Sequence, residues 1–307
     1  MHELTVCGSA AFLDRLFSTV RERGPLPHIR IGTSGWTYPH WRKDFYPDGL
    51  RQRDELGYLA GKLAAVEING SFYSLQRPSS YLRWSEETPE DFEFAVKGGR
   101  YLTHLKKLTD VSTPLATFLA SGLLSLGSKL GPILWQLPAV LQFDSERIES
   151  FLQLLPGSHG AAAELAGHCD RTKFDRWDQQ PALTPVDPER PLRHAIEVRH
   201  PSYIDDGFAE LCGTYGVAIV LADTAGRWPW IDRPVTDFGY FRLHGSRELY
   251  TSGYTDAELD EWAERIDGWL RVDGMQDIWI FFDNDAQAHA AWDARRLAER
   301  LGVATER

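Results

Sequence analysis

Short apolar runs alternate with longer amphipathic segments along most of the chain. Eight runs rich in β-branched and aromatic side chains predict strands, at Ile29–Ser34, Ala65–Asn69, Glu93–Lys97, Ile133–Gln136, Ala195–Arg199, Val217–Ala222, Tyr240–His244 and Ile278–Phe282. Segments with apolar side chains every three or four residues predict helices between most of them, at Asp54–Leu63, Ser79–Glu86, Leu115–Leu126, Ser145–Leu154, Phe208–Tyr215, Asp256–Trp269 and Ala286–Leu301. This alternation is typical of parallel βα units.

The number of units favours a closed barrel. Eight successive βα units form the repeat of the TIM-type (β/α)8 barrel. We therefore predict an α/β fold, a single-domain TIM-like barrel over residues 29–302. A doubly wound sheet with fewer strands is the alternative, but no G-x-G-x-x-G motif follows a predicted strand, which disfavours a dinucleotide-binding fold.

Three segments depart from this repeat. Residues 1–28 predict an N-terminal helical extension, with an amphipathic helix at Ala10–Arg23 that is closed by a Gly-Pro pair. Residues 157–193, between the fourth and fifth strands, are long and contain several prolines, so we expect an insertion there. The stretch Asp223–Phe238 is short for a full helix, which predicts an irregular crossover.

Polar side chains gather at the carboxyl ends of the predicted strands, where a parallel barrel places its site. Those that we expect at this mouth are Glu67, Asn69, Lys97, Gln136, Glu197, Arg199, Asp223, Arg242, His244 and Asn284. Residues two apart in a strand share a face, so apolar Ile68, Val198 and Leu243 take the opposite face. Buried charges must be paired or used. The alternative to a functional site is an ion-pair network that only fills the barrel.

Aromatic residues follow several of the same strand ends. We expect Trp36, Tyr38 and Tyr73 to form walls on which a sugar ring or a nucleobase could stack. Other loop aromatics are expected to pack as loop core instead.

The bulk composition limits the classes of partner. The net charge of −11 does not suit non-specific binding of nucleic acid, which could therefore enter only as a local substrate. Cys7, Cys169 and Cys212 show no C-x-x-C spacing, so neither a disulfide framework nor a structural zinc site is expected. The chain shows no secretory signal and no apolar stretch long enough to span a membrane. We expect a soluble, cytoplasmic protein with no membrane association and no obligate protein partner.

The strand-end motifs resemble those of the YecE-like family, also called domain of unknown function 72. The matching runs are Gly32–Trp36, Glu67–Asn69 with Ser71–Tyr73, Phe94–Lys97 with Thr103–His104, Gly131–Pro138, Glu197–His200, Arg242–Gly245 and Phe282–Asp285. They extend over about Ile29 to Leu301 in the family's order. The resemblance implies a TIM-like barrel and a shared motif set, and it implies no particular reaction.

The first functional hypothesis is an enzyme that hydrolyses a phosphate ester, such as a nucleotide or a nucleic-acid end. Lys97, Arg199 and Arg242 would bind the phosphate oxygens of this anionic ligand. Glu67 or Glu197 would act as general base and His244 as general acid. Asn69, Gln136, Asp223 and Asn284 would orient these groups.

Two further functional hypotheses and a metal site remain open. A carbohydrate-acting enzyme would use Glu67 and Glu197 as its paired carboxylates. A non-catalytic protein would use the same cations only to bind an anionic ligand. No cofactor is firmly predicted, but the potential ligands of a Zn²⁺ or Mn²⁺ ion are Glu67, His104, Glu197, Asp223, His244 and Asp283.

Overall fold

The protein is described by a computed structural model that covers residues 28–304. Its strands are β1 (His28–Ser34), β2 (Ala65–Ile68), β3 (Glu93–Lys97), β4 (Leu130–Gln136), β5 (His194–Glu197), β6 (Val217–Ile219), β7 (Leu221–Asp223), β8 (Phe238–Leu243) and β9 (Asp277–Phe282). The helix predicted at Ala10–Arg23 lies outside the described residues.

The strands form one parallel sheet that curls into a nearly closed barrel. Their spatial order is β6-β5-β4-β3-β2-β1-β9-β8-β7. The two end strands are consecutive in the chain and are separated only by Val220. β6 pairs with β5, whereas β7 pairs with β8. The predicted sixth strand is therefore divided at Val220, and the single-domain TIM-like barrel is confirmed.

Helices cover the barrel between successive strands. They are α1 (Glu55–Ala60), α2 (Gly70–Tyr73), α3 (Pro78–Glu86), α4 (Ser112–Leu119), α5 (Ser145–Leu152), α6 (His159–Ala166), α7 (Thr172–Trp177), α8 (Asp206–Thr214), α9 (Asp256–Leu270) and α10 (His289–Arg300). Short 3₁₀ turns lie at Pro39–Trp41, Gln52–Asp54, Leu123–Lys129, Pro201–Tyr203 and Ala286–Ala288, and a π-turn lies at Tyr101–Leu105.

Two predicted helices are shorter than their sequence pattern suggested. The helix predicted at Leu115–Leu126 ends early because Gly122 has a φ of 118°, which is accessible mainly to glycine. The helix predicted at Ala286–Leu301 begins only at His289, because Gln287 and Ala288 have φ values of 54° and 57°. Both interruptions depend on backbone conformation, which apolar periodicity does not reveal.

The structure describes both crossovers that the sequence singled out. The predicted insertion at 157–193 contains α6 and α7, and an antiparallel bridge between Ser158 and Pro191 joins its two ends. The amide of Ala182 also donates to the carbonyl of Ala120, which ties the segment to the end of α4. Between β7 and β8 the described chain has no helix, as its length suggested.

Side chains fill the barrel in layers. Small residues on β2, β3 and β5 (Ala65, Ala95 and Ala195) share an interior cluster with large aromatics on β8 and β9. Ile68, Val198 and Leu243 belong to the separate core between sheet and helices. The predicted division of faces is thus confirmed, and polar neighbours of these residues point into the barrel.

Ion pairs line a small cavity at the amino end of the barrel. Arg30 lies between Glu93 and Asp277, with Nε–Oε1 and Nη1–Oδ1 distances of 2.6 and 2.7 Å. The indole of Trp279 donates to the other oxygen of Glu93 at 3.0 Å, and Arg193 also pairs with Asp277.

Within residues 28–304, no helix combines the length and apolar character that a bilayer crossing requires.

Candidate active site

A buried arginine gathers the acidic side chains at the carboxyl end. Arg242 is at the end of β8 and is fully buried. Its Nε and Nη2 donate to the two oxygens of Glu67 at 3.0 and 2.8 Å, and its Nη1 donates to Oε2 of Glu197 at 2.6 Å. Nη2 also lies 2.9 Å from Oδ2 of Asp283. Residues from β2, β5, β8 and the segment after β9 therefore meet at one point.

The charge of Arg242 is stabilised by these acids. Burial alone would lower the pKa of Arg242, but the carboxylates of Glu67, Glu197 and Asp283 raise it well above its usual value. A guanidinium has five N–H groups, and those of Arg242 are directed at Glu67, Glu197, Asp283 and the His244 ring. Arg242 therefore has no donor left for a substrate. Its function here is to position the carboxylates.

Glu67 is saturated with hydrogen bonds. In addition to Arg242, its Oε1 accepts from the Ser34 hydroxyl at 3.0 Å and its Oε2 accepts from the Tyr240 hydroxyl at 2.6 Å. The register that pairs Ser34 with Glu67 across β1 and β2 places the hydroxyl there. A carboxylate accepts about four hydrogen bonds. Glu67 is therefore poorly placed to take a proton from a substrate.

Glu197 is held in its charged form between two arginines. Burial would raise the pKa of Glu197, but Arg199 and Arg242 hold it well below its ordinary value. Its Oε1 accepts from Nε of Arg199 at 2.8 Å. A carboxylate with a strongly lowered pKa is a weak base, which does not favour Glu197 as a general base or acid.

Arg199 is fixed in one orientation. Its Nη2 donates to Oε1 of Gln136 at 2.8 Å, and its guanidinium carbon lies 3.7 Å from the centre of the Trp228 ring. Nη1 of Arg199 has no hydrogen-bond acceptor among residues 28–304. Nη1 of a preorganised guanidinium is thus available for a ligand.

Lys97, at the end of β3, has an unusual environment. The side chain is buried, its Nζ donates no hydrogen bond to any described residue, and Nζ lies 4.7 Å from the centre of the Phe72 ring. Burial and the nearby charge of Arg242 together lower the pKa of Lys97 to about 8, although Glu67, Asp283 and Glu197 oppose the shift. A largely buried ammonium without a hydrogen-bond acceptor is a marker of a functional site.

His244 and Asp283 form the remaining polar pair. Nδ1 of His244 lies 2.9 Å from Oδ2 of Asp283, with the ring turned off the line of a hydrogen bond. Nε2 of His244 lies 3.4 Å from Nη1 of Arg242. Because arginine can only donate, Nε2 is the acceptor and Nδ1 carries the proton. Burial would raise the pKa of Asp283, but Arg242 and His244 hold it at about 2.

Of the four predicted orienting residues, Gln136 contacts Arg199, whereas within residues 28–304 the side chains of the other three form no hydrogen bond with the charged residues of this cluster. Asp223 accepts from the Tyr254 hydroxyl at 2.9 Å, and burial raises its pKa. Asn284 donates to Asp293 at 2.9 Å and thereby anchors α10 instead of facing the mouth. Asn69 is half-buried, and its side-chain oxygen is buried without a hydrogen-bond donor among the described residues.

The predicted aromatic walls divide between packing and exposure. Trp36 packs edge-on against Trp84 with ring centroids 5.4 Å apart. Tyr38 donates to the carbonyl of Ser34, and burial raises its pKa above the ordinary range. Tyr73 is 72 % exposed and borders a groove beside the mouth. Of the three, Tyr73 is the one with an open ring face.

Sequence reasoning did not assign several partners in this site. Ser34 and Tyr240 hold Glu67, and Trp228 supports Arg199. Ser34 and Trp228 lie at or after predicted strand ends, so the sequence indicated their place at this end of the barrel but not their contacts. Tyr240 carried a usable signal, because it lies two residues before Arg242 and therefore on the same strand face.

The suggested metal ligands do not assemble. Within the described range 28–304, no three His, Cys, Asp or Glu side chains are arranged to hold a metal ion. Glu67 and Glu197 are directed at arginines instead. His104 contacts the Thr103 hydroxyl at 2.9 Å, and burial together with Arg199 and Lys97 lowers its pKa to about 4.

Comparisons with known proteins identify the family to which the chain belongs. The family described as Protein of unknown function DUF72 matches residues 30–307. The UPF0759 protein YecE of Escherichia coli (strain K12) is 29 % identical over 138 residues, which are 45 % of this chain and 48 % of that protein. The chain thus spans about half the length of this curated relative. The UPF0759 protein YunF of Bacillus subtilis (strain 168) is 32 % identical over 75 residues, 24 % of this chain and 26 % of that protein.

Solved structures show the same fold. A DUF72 family protein from Thermotoga maritima MSB8 has a TM-score of 0.69 at 23 % identity, covering 90 % of this chain and 99 % of that one. A DUF72 family protein from Enterococcus faecalis V583 has a TM-score of 0.64 at 18 % identity, covering 90 % and 96 %. At these identities the likeness concerns the fold alone.

Proposed function

This chain belongs to the DUF72 family, whose function is unknown, and we propose from its own site that it is an enzyme acting on a small phosphorylated substrate. The substrate binds at the carboxyl end of the barrel. The observation that carries this proposal is the unpaired Nη1 of Arg199, whose guanidinium is held rigid by Glu197, Gln136 and Trp228. The two N–H groups of a rigidly held Nη1 can donate to phosphate oxygens.

Lys97 adds a second positive charge to the same mouth. Its Nζ has no acceptor in the described part of the chain, whereas each carboxylate of the cluster is already directed at Arg242. A phosphate would therefore meet two cations, Lys97 and Arg199, that still have N–H donors without acceptors among residues 28–304. The aromatic ring of Tyr73, at the lip of the mouth, is open for stacking with an organic part of the substrate.

Proton transfer is assigned to His244 with Asp283. Glu67 has no free acceptor position, and the low pKa of Glu197 makes it a weak base. His244 is the predicted acid; its Nδ1 lies beside Asp283, and its Nε2 must leave Nη1 of Arg242 to exchange a proton with the substrate. Phosphate-ester hydrolysis is the first reaction to test on this basis.

A non-catalytic anion-binding protein is the second candidate. The saturation of both predicted bases, Glu67 and Glu197, favours it over the carbohydrate-acting enzyme, which would need one carboxyl group protonated. Turnover of phosphomonoesters and phosphodiesters, with and without divalent metal ions, separates the two candidates. Binding without turnover across that panel would select the non-catalytic protein.

Binding of inorganic phosphate by titration calorimetry tests the site itself. Arg199→Lys keeps the charge but removes the fork, so the affinity should fall about tenfold. The matched control is Arg193→Lys at the amino end of the barrel, where Arg193 pairs with Asp277. The control should bind phosphate like the unmodified protein. Equal affinity in the two variants would contradict the proposed site.

A further inference from the structure

We propose that Lys97 is a nucleophilic amine and that the substrate at the barrel mouth carries an aldehyde or ketone, with which Nζ of Lys97 condenses to an imine. This inference rests on the proposed function, because the carbonyl compound is the phosphorylated substrate of that site. It adds the reactive group of the substrate and the atom of the protein that attacks it.

The first support is a contrast between two equally buried lysines. Lys97 and Lys129 are 8 % and 9 % exposed. Lys129 donates to the carbonyls of Ser85 and Thr88 and to the Thr88 hydroxyl, the last two at 2.8 and 3.3 Å. Lys97 has no such acceptor among the described residues. Burial lowers the pKa of both lysines, so the contrast lies in the acceptors: Lys129 has those of a structural ammonium, and Lys97 has none within residues 28–304.

The second support is the placement of charge around Lys97. The nearby acids Glu67, Glu197 and Asp283 would stabilise an ammonium. Arg242 lies between them and neutralises their negative charge through ion pairs. With the pKa of Lys97 at about 8, burial leaves about a tenth of it as free amine at pH 7. An ordinary lysine has far less of the nucleophilic form at that pH.

The third support is that the amine is held at the carboxyl end of the barrel. Lys97 is the last residue of β3, and its carbonyl accepts from the Ser71 hydroxyl at 2.6 Å. This bond fixes the strand end against α2, and Phe72 of the same helix lies against Nζ. The side chain is thus positioned on rigid elements, as a covalent catalyst requires.

The proposed step balances without an oxidant or a metal. The lone pair of Nζ attacks the carbonyl carbon, the C=O π bond breaks, and a proton moves from nitrogen to oxygen to give a carbinolamine. The carbinolamine hydroxyl takes a proton from solvent and leaves as water, while the nitrogen lone pair forms the C=N bond. The product is a protonated imine, which has a positive charge beside the phosphate bound at Arg199.

Borohydride trapping tests the step on the full chain. The protein is mixed with glyceraldehyde 3-phosphate, reduced with sodium borohydride, and analysed by intact mass and peptide mapping. We expect one reduced adduct per chain at Lys97, formed about tenfold faster than at exposed lysines such as Lys43. The rate should level off above a midpoint near the pKa of about 8, whereas exposed lysines continue to gain reactivity. The Lys129→Met control should label normally, and Lys97→Arg should lose the adduct.

The outcomes separate this inference from the proposed function. Adducts spread evenly over surface lysines, or no adduct in a protein that binds inorganic phosphate, would overturn the imine step and leave the phosphate site standing. Equal labelling of Lys97 by glyceraldehyde, in a protein that does not bind phosphate, would support the nucleophile and contradict the phosphorylated substrate. Because mapping of the unmodified protein is decisive, the test does not depend on how well the variants fold.

Discussion

Arg242 illustrates how far a residue's neighbours decide its chemical role. The alternation of faces along β8 placed this guanidinium in the barrel correctly, but it could not say which groups would meet it there. Three carboxylates do, and they use the donors that a phosphate would have needed. Hydrogen-bond pairing depends on distances between distant strands, which strand periodicity does not contain.

Removal of this arginine should be severely destabilising. Arg242→Met leaves buried carboxylates without their counter-charge, so the free energy of unfolding in urea should fall by about 3–5 kcal/mol. Arg51→Met is the control, because its ion pair with Asp54 is largely exposed and should contribute less than about 1 kcal/mol. A loss for Arg242→Met as small as that of the control would contradict the described cluster.

His194 predicts a pH dependence of stability. It accepts from the Trp135 indole at 3.2 Å and donates to the carbonyl of Pro156 at 2.9 Å, a pattern that requires the neutral ring. Burial lowers its pKa to about 4 from an ordinary value of 6.5. Between these values the unfolded chain binds the proton more readily than the folded protein, so acid favours unfolding.

The effect of His194 is measured as a difference between two proteins. From pH 6.5 down to pH 4 the native protein should lose about 3 kcal/mol more than His194→Gln, which does not titrate. The comparison also cancels the contributions of His104 and His159, whose pKa values are lowered as well. Parallel stability curves for the two proteins in urea would show that His194 is not buried in its neutral form.

At the level of elements, periodicity predicted where strands and helices lie but not where the backbone breaks. All eight predicted strands are present, with the sixth divided at Val220. The helix predicted through Leu126 is interrupted at Gly122, and the one predicted from Ala286 begins at His289. Left-handed backbone conformations cause both differences, and apolar spacing is blind to them.

Gly122 allows a direct test of this explanation. A Cβ added there would lie 2.6 Å from the Cα of Pro78, at the start of α3, and would be strained by the φ of 118°. Gly122→Ala should therefore lower the free energy of unfolding by about 2 kcal/mol or more. Gly268→Ala, in the last turn of α9 with open space around it, should instead be neutral or stabilising by up to about 1 kcal/mol. Equal effects of the two substitutions would contradict this account.

Across the whole molecule, the two ends of the barrel differ in how their charged side chains are paired. At the amino end, Arg30 pairs with both Glu93 and Asp277. The carboxyl end pairs its acids through Arg242 but leaves Nζ of Lys97 and Nη1 of Arg199 without acceptors among the described residues. The fold was predictable because βα alternation alone determines it. The difference in pairing between the two ends was not, because the same residue types occur at both.

A crystal structure of the full chain with inorganic phosphate would show whether Arg199 and Lys97 bind the anion. We predict phosphate at the carboxyl end of the barrel, within hydrogen-bond distance of Nη1 of Arg199 and Nζ of Lys97, while Arg242 stays with Glu67 and Glu197. Phosphate held by Arg242 after its carboxylates have turned away, or a mouth without phosphate while Lys97 pairs with a protein carboxylate, would contradict the account.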